Sequence, residues 1–107
     1  MELQEKLEHT LRNLGDTPDE IAAFLEGQGI KGQRHHASGC VLAVYLHKVF
    51  DMSVSVGYSA MLHTTIKKLD INFGYKPEAI CPLPSSTRLF VLKFDDGKYP
   101  NLVKGTA

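Results

Sequence analysis

Residues 41–46 are six consecutive apolar positions, extended by Val49 and Phe50, and they constrain this 107-residue chain more than any other stretch. At helical spacing Val41, Leu42, Val44, Tyr45, Leu46, Val49 and Phe50 surround the axis, so the expectation is a helix near the centre of a core. The run is far short of the roughly 20 residues that cross a bilayer. A chain of this length, 43% hydrophobic and 22% charged, forms one ordinary domain, expected over residues 1–107, and needs no disulfide or metal to do so.

The flanks supply the other elements. Leu3, Leu7, Leu11 and Leu14 recur at steps of four, four and three, a narrow stripe on a polar helix that Gly15 ends. That helix, residues 1–14, is expected to be peripheral to a core over 17–103, and its stripe to be a docking edge that packs either on the rest of the domain or on another chain, the second preferred because the leucines resemble a coiled-coil seam. Thr17 as N-cap, Pro18 behind it and Glu20 three residues on open a second helix, whose buried face is Ile21, Phe24 and Leu25. A basic, glycine-rich loop follows over 27–38, with Ser38 able to cap the apolar helix. Beyond Asp51 the period becomes two: Val54, Val56 and Tyr58 alternate with Ser53, Ser55 and Gly57, a half-buried strand. A turn near Ser59 and Ala60 and alternating stretches over 62–66 and 69–73 complete a small antiparallel sheet of two or three strands. In the last third Asp96-Gly97 suggests a hairpin, but Leu83, Thr87, Phe90, Val91 and Phe94 hold helical spacing, and the helix is preferred. The expected fold class is α+β, with three N-terminal helices, the sheet and one C-terminal helix.

Charge narrows the partners. Twelve basic residues balance twelve acidic ones, which removes the general pull toward phosphate backbones. The balance is uneven along the chain, acidic through residue 26 and basic from there to 76, so Lys31, Arg34, Lys67 and Lys68 offer one basic face. Two cysteines 41 positions apart make no disulfide framework. The N-terminal residues are acidic and lack the apolar stretch of a secretion signal, so the expected location is cytoplasmic, without membrane association.

The order of motifs is also familiar. A helix ending Ile-Ala-Ala-Phe-Leu-Glu-Gly-Gln-Gly-Ile-Lys-Gly, then Cys40-Val-Leu-Ala-Val-Tyr-Leu, then Val54-Ser-Val-Gly, then Leu83-Pro and a closing Phe94-Asp-Asp-Gly-Lys-Tyr-Pro resembles small uncharacterised proteins of actinobacteria and their phages. The likeness covers about residues 17–103. Val41 stands where the group has proline after the cysteine, and the first helix lies outside the likeness. The resemblance implies a helix over 84–95 and attaches no activity.

Few residues suggest chemistry. Gly27, Gly29 and Gly32 satisfy a Gly-x-Gly-x-x-Gly pattern, but a helix precedes them where a dinucleotide site needs a strand, so they read as turn formers. His35, His36 and Cys40 are the densest reactive cluster. In the first turn of its helix, Cys40 would be a candidate nucleophile with His35 or His36 as base, although no acid nearby in sequence orients the imidazole. His35, His36, Cys40, His47 and Cys81 carry zinc-ligating atoms at spacings unlike a structural zinc site. No cofactor or metal is therefore expected. The leading expectation is a non-enzymatic interaction or regulatory protein, of a phage accessory or inhibitor kind, that binds a protein partner or itself. A cysteine-dependent enzyme at Cys40 is the alternative, and nucleic-acid binding by the basic face a further one.

Overall fold

The computed structural model describes residues 2–63 and 77–104. Among these residues four helices, α1 (Leu3–Arg12), α2 (Pro18–Gly27), α3 (Val41–Phe50) and α4 (Ser85–Asp95), accompany an antiparallel sheet of β1 (Ser53–Val56), β2 (Ser59–His63) and β3 (Ala79–Pro82) in the order β1-β2-β3. A 3-10 turn, Pro100–Leu102, follows α4. The class is α+β as expected, with three helices before the sheet and one after it.

Local chemistry accounts for the helix ends. The Thr17 hydroxyl accepts the Glu20 N–H at 3.2 Å, and Pro18 occupies the first position of α2, where its missing donor costs nothing. Gly29 takes φ +73° just past the end of α2, the left-handed step that turns the chain away. Ile21 and Leu25 are buried as the spacing predicts, but Phe24 stays 36% exposed, its ring meeting Tyr45 edge-on at 5.5 Å.

Helix α3 departs from expectation in two ways. Its N-cap is Cys40 rather than Ser38, and its apolar surround is only half buried. Val41, Leu42, Ala43 and Leu46 lie in the core, whereas the last turn emerges and Val49 is 39% exposed. In the terminal turn Phe50 still packs against the core while His47, Lys48 and Val49 face solvent, and Asp51 ends the helix in the left-handed conformation at φ 56°.

The leucine stripe is the larger correction. Leu7, Leu11 and Leu14 are buried in the chain's own core and Leu3 packs against it, so none of the four offers a free edge. Helix α1 is thus part of the core rather than peripheral to it. It lies along β3, where Gln4 supplies what a fourth strand would. Its side-chain amide donates to the Ile80 carbonyl at 2.6 Å and accepts the Ile80 N–H at 3.0 Å. Those outward-facing groups would otherwise be an open sheet edge. Pro82 has no N–H to leave unpaired, so the edge is closed with one side chain.

The hairpin turn also moves. Val56 pairs with Ala60, which puts the turn at Gly57 and Tyr58 and draws Ser59 and Ala60 into β2. Strand β3, unforeseen, supplies the third strand, with Ala60 opposite Cys81. Leu62 and His63 belong to β2, while the rest of the stretches expected over 62–66 and 69–73 lies outside the described residues.

The glycine-rich loop is tied in from both sides. Gly32 donates its N–H to the Leu102 carbonyl at 2.9 Å, and its own carbonyl accepts from Lys104 at 2.7 Å. These bonds and its close packing make Gly32 a structural glycine. A Cβ there would fall 2.5 Å from the Cys40 carbonyl carbon and closer still to the Val41 nitrogen, both backbone atoms of the start of α3. Gly32→Ala is expected to lower stability by about 2 kcal/mol or more, because a rigid neighbour cannot step aside. Gly27→Ala is the control: its Cβ would meet nothing within 4 Å, and alanine in a helix should add about 0.5–1 kcal/mol. Urea midpoints of the two variants moving in the same direction would contradict this assignment.

The C-terminal segment is fastened by Tyr99, which stacks on Phe90 at 5.3 Å and donates its hydroxyl to Asp19 on α2 at 2.8 Å. Burial, then the hydrogen bond to Asp19 and its negative charge, push the Tyr99 hydroxyl up to about 12. The folded chain therefore holds this proton more tightly than the unfolded one. The contribution is complete below pH 10 and lost as pH rises through about 12. Urea midpoints should fall across that window for the wild type, and Tyr99→Phe should remove this part of the fall.

Candidate functional site

The cluster singled out by sequence, His35, His36 and Cys40, sits in the loop before α3, and α4 closes over it. Arg34 donates from Nε to the Asp95 carbonyl at 2.8 Å, capping a helix end where unpaired carbonyls and the negative dipole end both favour a cation. The Asp95 carboxylate reaches back to accept the His35 N–H at 2.8 Å, and its second oxygen lies 4.0 Å from His35 Nδ1. To aim its N–H this way His35 adopts φ 58°, a conformation uncommon outside glycine and held here by the loop's own bonds. The His36 carbonyl accepts from Cys40 at 2.8 Å and from Gly39 at 3.2 Å, while the Gln33 N–H donates to the Gly39 carbonyl at 2.7 Å. The loop is therefore a closed knot docked on the end of α4.

Asp95 is the residue that sequence reasoning missed. It stands 60 positions from His35, and the hydrogen-bonding of that helix end to the loop left no trace in spacing. Its position matters because three adjoining depressions share it. One, of about 300 Å³, is lined by His35, His36, Cys40, Val56 and Val91 among others. A second, of about 200 Å³, lies between the Gly57-Tyr58 turn and Arg88, Val91 and Leu92 of α4. A third and broader one opens beside Arg34 and Lys93.

Cys40 is 4% exposed, and its Sγ accepts the Ala43 N–H at 3.4 Å in the manner of an N-cap hydroxyl. Burial pushes the thiol up and outweighs the lowering by the Ala43 and Leu42 N–H groups, and the Asp95 charge raises it further. A thiol held in its neutral form is a poor nucleophile. Cys81 lies on β3, its thiol donating to the Pro82 carbonyl at 3.3 Å and likewise raised, first by burial and then by Glu8. Native protein treated with an aromatic disulfide reagent near pH 7 should therefore react at neither cysteine within minutes and at both after denaturation. Rapid stoichiometric labelling of Cys40 at pH 6 would overturn this.

The zinc constellation does not assemble. His47 is at the far end of α3, bound through Nδ1 to the Met52 carbonyl at 2.8 Å, and Cys81 is on the sheet under α1. Among the described residues no group of three or more His, Cys, Asp or Glu is placed to hold a metal ion. Of the basic face, Lys67 and Lys68 lie outside the described residues, and Arg34 is engaged with α4.

Compared with family models, curated proteins and solved structures, the chain matches none of them. The site's own surface is therefore what bears on function. Tyr58 is 76% exposed at the tip of the β1–β2 turn, and the Arg88 guanidinium lies 4.5 Å over its ring. Leu92, 57% exposed, lines the same cleft, and Leu89, one turn earlier on α4, is 47% exposed. Among the described residues no helix is long and apolar enough to cross a membrane, so a bilayer-spanning helix does not account for these side chains.

Proposed function

We propose that this protein is a non-enzymatic interaction or regulatory module, of the small actinobacterial and phage kind its motifs resemble, which presents the Tyr58–α4 face to a protein partner in the cytoplasm. One observation carries the reading: Tyr58 on the β1–β2 turn and Arg88, Leu89 and Leu92 on α4 are exposed together, with Arg88 in contact with the Tyr58 ring. Tyrosine and arginine are the residue types that dominate interface energetics, and a side chain already fixed by stacking loses little freedom on binding. The two free cysteines suit a reducing compartment.

The test uses Tyr58→Ala/Leu92→Ala, which removes exposed atoms and should leave the melting temperature unchanged. Immobilised wild-type protein is expected to capture a partner from an extract of its source, and the double variant to lose it. Equal capture by both proteins would move the interface elsewhere.

A cysteine-dependent enzyme is the second reading, favoured by the carboxylate that Asp95 brings beside His35 around the depression containing Cys40. It requires a reactive thiol, and the labelling experiment above decides it.

A further inference from the structure

The chemistry of the cleft indicates what kind of partner fits it. Its walls are the Tyr58 ring, Val56, Val91 and Leu92, so an apolar side chain is the natural occupant. Arg88 is the cation of the lining. Its guanidinium lies over the Tyr58 ring, 4.5 Å from the centroid, and carries N–H donors suited to a planar acceptor. Neither ion pair among the described residues involves Arg88, so its charge has no carboxylate there to answer it. Asp95, the acid in the same wall, is already bonded to the His35 N–H and faces that loop. The cleft is thus cationic at the Arg88 end and acidic at the Asp95 end, and a second carboxylate reaching toward Asp95 would be repelled.

We propose that the cleft between the β1–β2 turn and α4 binds a segment of a protein partner in which an apolar side chain adjoins a single carboxylate, the carboxylate received by Arg88. The proposal rests on the interaction reading above and adds the partner's chemistry. A guanidinium stacked on an aromatic ring and paired in-plane with a carboxylate gains from both contacts at once.

The probes are two acetylated, amidated peptides, Gly-Phe-Asp-Gly and Gly-Phe-Asn-Gly, titrated into isotope-labelled full-length protein. The aspartate peptide should shift the amide signals of Gly57, Tyr58, Val91 and Leu92, and bind about tenfold more tightly than the asparagine peptide, as charge-assisted hydrogen bonds do. Arg88→Gln should abolish that preference while leaving the melting temperature in place. Equal binding of the two peptides, shifts confined to other surfaces, or no shift at about 10 mM peptide would each overturn the proposal. So would a concentration-dependent dimer that Arg88→Gln dissolves, which would assign the cleft to a second copy. Should partner capture be lost in Tyr58→Ala/Leu92→Ala but persist in Arg88→Gln, the interaction reading stands and the carboxylate assignment fails.

Discussion

A chain lacking residues 1–14 is expected to show no cooperative thermal transition. Burying a leucine side chain contributes about 1.5–3 kcal/mol, and the truncation removes Leu7, Leu11 and Leu14, each buried in the core, together with the partly buried Leu3. A domain's whole stability is about 5–15 kcal/mol. The leucines' former neighbours on the sheet would also meet water, and the freed Ile80 edge would be open to another chain. Loss of near-ultraviolet dichroism and the appearance of large species in light scattering are the expected readouts. A truncated chain that stays monomeric and melts within a few degrees of the full-length protein would show that α1 is an appendage after all.

Phe90→Ala should cost about 3–5 kcal/mol, the range for truncating a fully buried phenylalanine. Phe90 is inaccessible to solvent, stacks on Phe94 at 6.3 Å and on Tyr99 at 5.3 Å, and lies at the seam between α4 and the C-terminal segment. Its loss opens a cavity and frees Tyr99, so the Asp19 bond should weaken with it. Leu89→Ala on the same helix, at a 47% exposed position, should change the urea midpoint little. Similar losses for the two variants would mean that α4 packs by a different face.

The contrast between these positions shows where sequence was informative. The α2 cap was legible because Thr17, Pro18 and Glu20 act within one turn, and α4 because its buried residues keep a helical period that outweighs the hairpin signal of Asp96-Gly97. Strand β3 was not legible: four residues ending in proline carry too little alternation to register. The leucines of α1 showed a face without naming what covers it, and periodicity holds no information on that point. Cys40 and the two histidines were found by their types, but the raised thiol and the Asp95 contact depend on burial and on a helix end 60 residues away. Tyr58 was expected on the buried face of β1, but that strand stops at Val56 and Tyr58 is exposed in the turn, and its contact with Arg88 escaped notice because a pair on two distant elements has no spacing rule.

The Gln4–Ile80 bond pair sets an order of events during synthesis. The two residues are separated by 76 positions, so the amide that finishes the sheet is made early and its counterpart late. Until Ile80 exists, α1 is a ten-residue helix with too few turns to persist alone, and Gln4 lacks the strand it caps. Synthesis at about 5–20 residues per second leaves that first segment waiting several seconds for the strand it guards. The capping of the β3 edge by Gln4 is therefore a late event, and a ribosome that stalls before residue 80 holds an α1 without the strand edge it covers.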